Sequence, residues 1–416
     1  MTKQITHKNM VIPFLQNQIN SVLKQFGSPI YIYDEAGIRS TSKEMKRAFS
    51  WTKNYKNFFA VKATPTPAIL KILHEEGMGF DCSTRTELLM VEKLGIPGED
   101  IFFTSNNTPK EDFVLAIKLG ATVNIDDLSQ VPVYIDALNG NSVARLAARY
   151  NPGDLKSGNI IIGEPTEAKY GMSLDDLVDA FTTLKAQNIS EFGLHTMVAS
   201  NELDAAYFED TTRLLVTAVN EVEKKAGIKI SFVNLGGGFG VNYRPDQKPF
   251  DINEASERIK KVFQESGKDL EICTENGRYV TGPHGYLVTT VRYVMHKYKT
   301  YVGVDASMHN LMRPGMYNAY HHITVLGKQN DESMNYDVVG SLCENNDKFA
   351  IDRKLPQLET DDILVIHDAG AHGHSMGFNY NGLLRSAEVL MTPDGKTELI
   401  RRAETVNDYF APLIWD

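Results

Sequence analysis

Through the first two thirds of the chain, short apolar runs rich in β-branched and aromatic residues alternate with longer stretches whose apolar positions recur every three or four residues. The short runs fit strands buried on both faces, and the longer ones fit amphipathic helices. Eight strands are predicted, at NFFAV (57–61), GFDC (79–82), DIFFT (100–104), ATVNI (121–125), SVARLAARY (142–150), EFGLHTM (191–197), ISFVNL (230–235) and LEICTE (270–275). Between them PAILKILHEE from Pro67, a proline suited to a first helical turn, and RTELLMVEKL from Arg85 predict helices. The fifth crossover is long, with the loop NPGDLKSGN ahead of a helix near residues 174–187. Eight strands, each followed by a crossover, fit a closed parallel barrel better than an open sheet.

After Arg278 the pattern changes to alternating runs such as YLVTTVRYVMH and TYVGVD, with turn clusters GKQNDES and TPDGKTE between strands. The expected fold is therefore α/β. It has a (β/α)8 barrel over 29–280, a mostly antiparallel β domain over 281–416, and an N-terminal segment, 1–28, packing with the β domain. The chain contains no internal repeat and no low-complexity segment.

Composition narrows the function. A chain of 416 residues with 42% hydrophobic content can bury a sizeable core. Its 53 acidic and 43 basic residues leave a net charge of −10, which argues against nucleic acid or an anionic membrane as the main partner. A small-molecule substrate is the better expectation. The opening MTKQITHKNM is polar and no window approaches eighteen uninterrupted apolar residues, so a cytoplasmic protein is expected. Cys82, Cys273 and Cys343 are too few and too scattered for a disulfide framework or a zinc site. They are expected to be reduced thiols, with no metal.

In such a barrel the chemistry sits at the carboxyl ends of the strands. Four predicted strands end there in Lys62, in His195, in the run Gly236, Gly237 and Gly238, and in Glu275 with Gly277 and Arg278. Lys62 follows FFAV, where an ammonium has no packing role; burial or a cationic neighbour is expected to lower its pKa from about 10.4 and free the amine for covalent catalysis. By itself it reads more readily as a strand-end lysine reaching solvent, and it points to chemistry only in company. The glycine run lets backbone N–H groups approach a phosphate, or else makes a tight strand-to-helix turn. It is neither the spaced dinucleotide fingerprint nor a Lys-Ser/Thr phosphate loop. A lone His195 in an apolar strand reads as a satisfied core residue.

Taken together, FFAVKA, GFDCSTRTE, GLH, LGGGFG, ENGR, MRPGMYNAYH, SLCEN and GFNYNG, in this order and spanning about Pro29 to Leu390, resemble the fold-type III pyridoxal 5'-phosphate (PLP) decarboxylases, specifically the diaminopimelate decarboxylase branch. The resemblance implies that Lys62 bonds to the cofactor aldehyde, His195 stacks on its ring and Glu275 pairs with the pyridine nitrogen. It also implies that Ser200 and the glycines hold the phosphate, with Tyr380 nearby. Arg278, Arg313 and Tyr317 match residues that grip the distal carboxylate of diaminopimelate, and Glu344 matches the group that meets its distal ammonium. Cys343 matches the final proton donor, supplied by the second subunit of a homodimer with shared sites. The implied reaction is decarboxylation of meso-2,6-diaminopimelate to L-lysine. Arg313 discriminates, because ornithine or lysine has no distal carboxylate to require an arginine.

Three positions and one stretch depart from the family pattern, the stretch being NGLLRSAEV after Tyr380, where a proline-containing version is usual. Asn276 stands where proline is usual, and Met197 and Ala199 stand where a histidine and a glycine are common; the changes bear on the pocket walls and leave the charged roles in place. Two other readings stand beside this one, a decarboxylase of D-ornithine, D-lysine or their L forms, and a non-catalytic regulator. Retention of both Lys62 and Cys343 counts against the regulator. Alanine racemase fits less well, since its second acid-base group is a tyrosine and its substrate needs no distal clamp.

Overall fold

The computed structural model describes residues 11–158, 161, 163–328 and 332–415. They fall into two compact units. One comprises Arg39–Gly240 with Phe250–Tyr279; the other comprises the described residues of Met1–Ile38, Val241–Pro249 and Val280–Asp416.

The first strand, β1 (Ile30–Asp34), belongs to the second unit. It pairs antiparallel with residues 285–288 and parallel with 387–391, so its partners lie far along the chain. The boundary expected at residue 29 therefore falls before a strand of the β unit, and the compact barrel unit begins at Arg39.

The barrel unit holds eight parallel strands: β2 (Tyr55–Ala60), β3 (Gly79–Cys82), β4 (Ile101–Thr104), β5 (Thr122–Ile125), β6 (Val143–Tyr150), β7 (Ile189–Thr196), β8 (Ile230–Asn234) and β9 (Glu271–Thr274). They close in sequence order, with Tyr55 of β2 opposite Ile272 of β9. Every residue of β3, β4 and β5 is buried, as parallel strands between a packed interior and a helical coat require. Phe58, Phe102, Ala147, Phe232 and Cys273 form one buried cluster. Large and small residues interdigitate there: a Cβ at Gly193 would lie 2.1 Å from the Phe232 ring. Pro67 opens the helix Pro67–Glu75, and Thr84 caps Arg85–Lys93 by accepting from the Glu87 N–H. The helix of the fifth crossover is Leu174–Leu184.

In the second unit β10 (Gly285–His296), β11 (Thr300–Val304), β12 (Ile323–Val325), β13 (Ser333–Val339), β14 (Lys348–Pro356), β15 (Ile363–Ile366), β16 (Ala387–Met391) and β17 (Thr397–Arg401) join β1 in a mixed, mostly antiparallel sheet. The parallel pairs are β1 with β16 and β11 with β13. The helix Gln16–Phe26 buries Ile19 and Val22 in a cluster with Ile30, Val288 and Val389. TPDGKTE joins β16 to β17 as expected, whereas part of GKQNDES, residues 329–331, lies outside the described residues, as does the opening decapeptide. No described helix is long and apolar enough to cross a membrane.

Candidate active site

The barrel brings its candidates to the carboxyl ends of the strands. Lys62 lies in a single turn of 3-10 helix, Val61–Ala63, directly after β2. Its neighbours Val61 and Ala63 are buried, while its own side chain is 54% exposed, so the amine is both anchored and reachable. The Lys62 Nζ lies 3.5 Å from Asp81 Oδ2 at the end of β3 and 3.4 Å from Ser83 Oγ. Glu87, on the helix that follows, accepts the Ser83 N–H at 2.6 Å.

These carboxylates correct the expected titration of Lys62. Burial does push the amine down, but Asp81, Glu275 and Glu87 together outweigh burial and hold it above its ordinary value. Asp81 is buried beside two other carboxyls, and burial and Glu275 hold it far above the usual carboxylate range, although Lys62 pulls the other way.

His195, in β7, is wholly buried, and both of its ring nitrogens have polar neighbours. Its Nε2 is 3.3 Å from Glu275 Oε2 and its Nδ1 is 3.0 Å from the Asn124 side-chain nitrogen. Glu275 follows β9 and receives a second hydrogen bond, at 2.8 Å, from Asn234 at the end of β8. Burial alone would raise the Glu275 carboxyl, but the contact with His195, with Lys62 and Arg149 further off, holds it below the ordinary value. A buried carboxylate is thus kept ionised by the groups around it.

The glycine run is built into the same constellation. Gly236 donates its N–H to Asn234 Oδ1 at 2.9 Å and accepts from the Glu275 N–H at 2.8 Å. Gly236 and Gly238 have φ of +68° and +112°, and a Cβ at Gly237 would sit 2.7 Å from the Glu275 carbonyl. No side chain fits this turn. Met197 also leans on it, with its sulfur 3.2 Å from the Gly237 nitrogen, and Ala199 sits where a Cβ on Gly238 would come within 2.9 Å.

Asn276 has a definite job. Its Oδ1 accepts the Phe239 N–H at 2.9 Å, and its own N–H donates to Asn57 Oδ1 at 2.8 Å. The side chain therefore fastens the end of the glycine turn and the backbone N–H ties the residue to β2, two bonds that proline cannot make. Asn276→Ala leaves the buried Phe239 N–H unpaired, so it is expected to cost about 1 to 3 kcal/mol of stability and to loosen the turn. Urea unfolding and equilibrium dialysis of the cofactor measure the two effects; unchanged values for both would assign Asn276 no such role.

In the β unit the remaining candidates lie on two pinned segments. Arg313 opens the helix Arg313–Tyr317 and is only 6% exposed. Its Nη1 lies 2.9 Å from His321 Nε2, and its guanidinium carbon lies 4.5 Å from the centre of the Tyr243 ring. His321 Nδ1 faces the His367 carbonyl at 2.8 Å. A carbonyl only accepts, so Nδ1 carries the proton and Nε2 accepts from Arg313. Tyr317 is 61% exposed.

Cys343 and Glu344 are exposed in the connection between β13 and β14. Buried Asp347 fixes that loop by accepting from the Leu342 and Met308 N–H groups at 2.8 and 2.6 Å. The Cys343 N–H donates to Asn381 Oδ1 at 2.7 Å, which ties the cysteine to the Tyr380–Gly382 turn. Ser200 is half buried shortly after β7, and Gly277 and Arg278 follow Glu275 into the helix Arg278–Thr281.

Sequence reasoning missed Asp81, Asn124 and Asn234, which position the lysine, the histidine and the glutamate. One signal was available, the aspartate inside the otherwise apolar GFDC. The set fits PLP: an anchored amine, a buried carboxylate kept ionised, a buried imidazole and a turn with room only for backbone beside an anion.

Comparison with known proteins agrees. Residues 35–282 match the family described as "Pyridoxal-dependent decarboxylase, pyridoxal binding domain". Protein TabA of Pseudomonas amygdali pv. tabaci is 39% identical, covering 95% of this chain and 94% of that protein. Diaminopimelate decarboxylase of Methanothermobacter thermautotrophicus is 32% identical over 92% of this chain and 91% of that one. The crystal structure of diaminopimelate decarboxylase from M. jannaschii in complex with L-lysine superposes with a TM-score of 0.89 at 30% identity, covering 95% and 94% of the two chains. A family match over most of the chain, joined to relatives matched along nearly their whole length, leads to one conclusion: this protein belongs to the pyridoxal-dependent decarboxylases.

Proposed function

We propose that the chain decarboxylates meso-2,6-diaminopimelate to L-lysine and CO2, as a cytoplasmic homodimer whose sites are shared between subunits. The observation that carries the substrate is Arg313, a buried guanidinium held in one orientation by His321 and Tyr243. An arginine fixed in this way suits a second carboxylate on the substrate. Relatives named diaminopimelate decarboxylase support the same reading, as do relatives solved with L-lysine.

Bound PLP supplies an electron sink for the pair left behind when CO2 departs. The protein's part is to position, to exchange protons and to choose the substrate. Lys62 Nζ would hold the cofactor by its aldehyde; the surrounding carboxylates keep this amine protonated at rest, and Asp81 Oδ2, 3.5 Å away, is the carboxylate oxygen placed to exchange that proton. Glu275 would face the pyridine nitrogen and favour its protonated form, and His195, which holds Glu275 from Nε2, would support the ring. The glycines 236–238, Gly277 and Ser200 receive the phosphate, with Tyr380 beside it. Arg278, Arg313 and Tyr317 take the distal carboxylate and Glu344 the distal ammonium, which leaves the other carboxylate as the scissile one. Cys343 Sγ then delivers the proton that replaces CO2.

Cys343, Glu344 and Tyr380 are all exposed on this chain, as residues serving a neighbouring subunit's site must be. Lys62→Ala and Cys343→Ala are each expected to be inactive alone. Once mixed and allowed to exchange subunits, they should regain CO2 release from meso-diaminopimelate, because each hybrid contains one site with both residues intact. No recovery despite demonstrated exchange would put Lys62 and Cys343 in the same chain's site and refute the shared arrangement.

A further inference from the structure

A cleft of about 490 Å³ opens in the β unit, lined by none of the residues given roles above but beside Arg313, with Arg244, Arg353, Tyr320, Pro314, Gly315 and Lys348 in its walls. Two guanidiniums share its single tyrosine ring. The Arg353 carbon lies 4.0 Å from the centre of Tyr320 and the Arg244 carbon 4.8 Å from it. Among the described residues no aspartate or glutamate lines the cleft and neither arginine is in an ion pair. Lys348 differs, since its Nζ lies 3.6 Å from Asp337. Arg353 is also half buried, and burial, with Arg244 beside it, pulls its basicity down. On a chain of net charge −10, two like charges converging on one ring without a counter-charge are costly unless something negative joins them.

We propose that this cleft binds a small anion carrying at least two negative charges, a phosphate ester or a dicarboxylate, between Arg244 and Arg353. Planar guanidinium forks match either group, and Tyr320 holds both forks in place. The site also has a route to substrate choice. Arg353 donates from Nη1 to the His321 carbonyl at 2.9 Å, and the His321 ring receives Arg313. Pro314 and Gly315, next in the chain after Arg313, form part of the cleft wall. An anion that draws Arg353 toward itself acts through one residue on Arg313. It should therefore change KM for a substrate bearing a distal carboxylate more than it changes kcat; this consequence, unlike the binding, rests on the substrate reading given above.

Calorimetric titration of the PLP-loaded enzyme with inorganic phosphate, and separately with succinate, tests the binding at constant ionic strength. One anion per chain is expected, with affinity about tenfold weaker or worse in Arg244→Gln and in Arg353→Gln, and much less affected in Arg313→Gln. Arg244 is exposed, so its variant tests the site even where Arg353→Gln folds poorly. Equal affinity in wild type and both variants would overturn the proposal. Loss of binding with Arg313→Gln alone would move the anion to the substrate site and overturn it equally. Absence of binding, with dissociation of the oligomer in the two variants, would make the arginines a contact between copies instead. None of these outcomes depends on turnover, so an error in the substrate leaves the test intact.

Discussion

Lys62→Ala is expected to yield a folded protein that holds no covalently attached cofactor and has lost on the order of 10⁴-fold or more in kcat/KM. Lys62 lies on a turn fixed by buried neighbours, with its amine exposed toward Asp81 and Ser83. Removal of the ammonium takes away the cation that opposes the rise in the Asp81 pKa. With that cation gone the buried aspartate is held higher still, in its neutral form, so the variant strands no unpaired charge and the barrel can survive the change. Wild-type protein should show a visible absorbance band that borohydride removes, with the label on the peptide containing Lys62. A label on another lysine, or a band that persists in Lys62→Ala, would dismantle the site described above.

The second large effect concerns Arg313. Arg313→Ala withdraws a charge-assisted contact and leaves the distal carboxylate poorly compensated, which should cost on the order of 2 to 5 kcal/mol, or roughly thirty- to several-thousand-fold in kcat/KM for diaminopimelate. Lysine lacks that carboxylate, so its slower decarboxylation should change far less. The ratio of the two activities is the measurement. The variant also deprives His321 Nε2 of its donor and Tyr243 of its cation, so the fold and cofactor content are checked alongside. Equal losses on both substrates, with both controls intact, would make Arg313 a structural residue.

Much of the barrel was legible because its strands are short, apolar on both faces and separated by periodic helices. All eight expected runs coincide with β2 to β9 to within a few residues. β1 was not legible as part of the other sheet: IYIYD looks like one more buried strand, and its partners at 285–288 and 387–391 are set by long-range pairing that local pattern does not carry.

The site divides in the same way. Lys62, the glycines and Glu275 stand out because polar or glycine residues at strand ends break an apolar pattern. Asn124 and Asn234 have ordinary local contexts and acquire their roles only when β5, β7, β8 and β9 come together around His195 and Glu275. The sign of the Lys62 shift was misjudged for that reason. Burial is visible from a strand end, but the three carboxylates that outweigh it come from β3, from the helix Arg85–Lys93 and from the end of β9.

The substrate is decided by incubating the PLP-loaded protein with meso-diaminopimelate, and in parallel with both configurations of lysine and ornithine, while CO2 and the chirality of the product amine are followed. CO2 is expected from meso-diaminopimelate with an equal amount of L-lysine, at a kcat/KM well above that for any of the other four. CO2 released preferentially from D-ornithine or D-lysine, or none released from diaminopimelate by protein that demonstrably carries PLP on Lys62, would contradict diaminopimelate as the substrate.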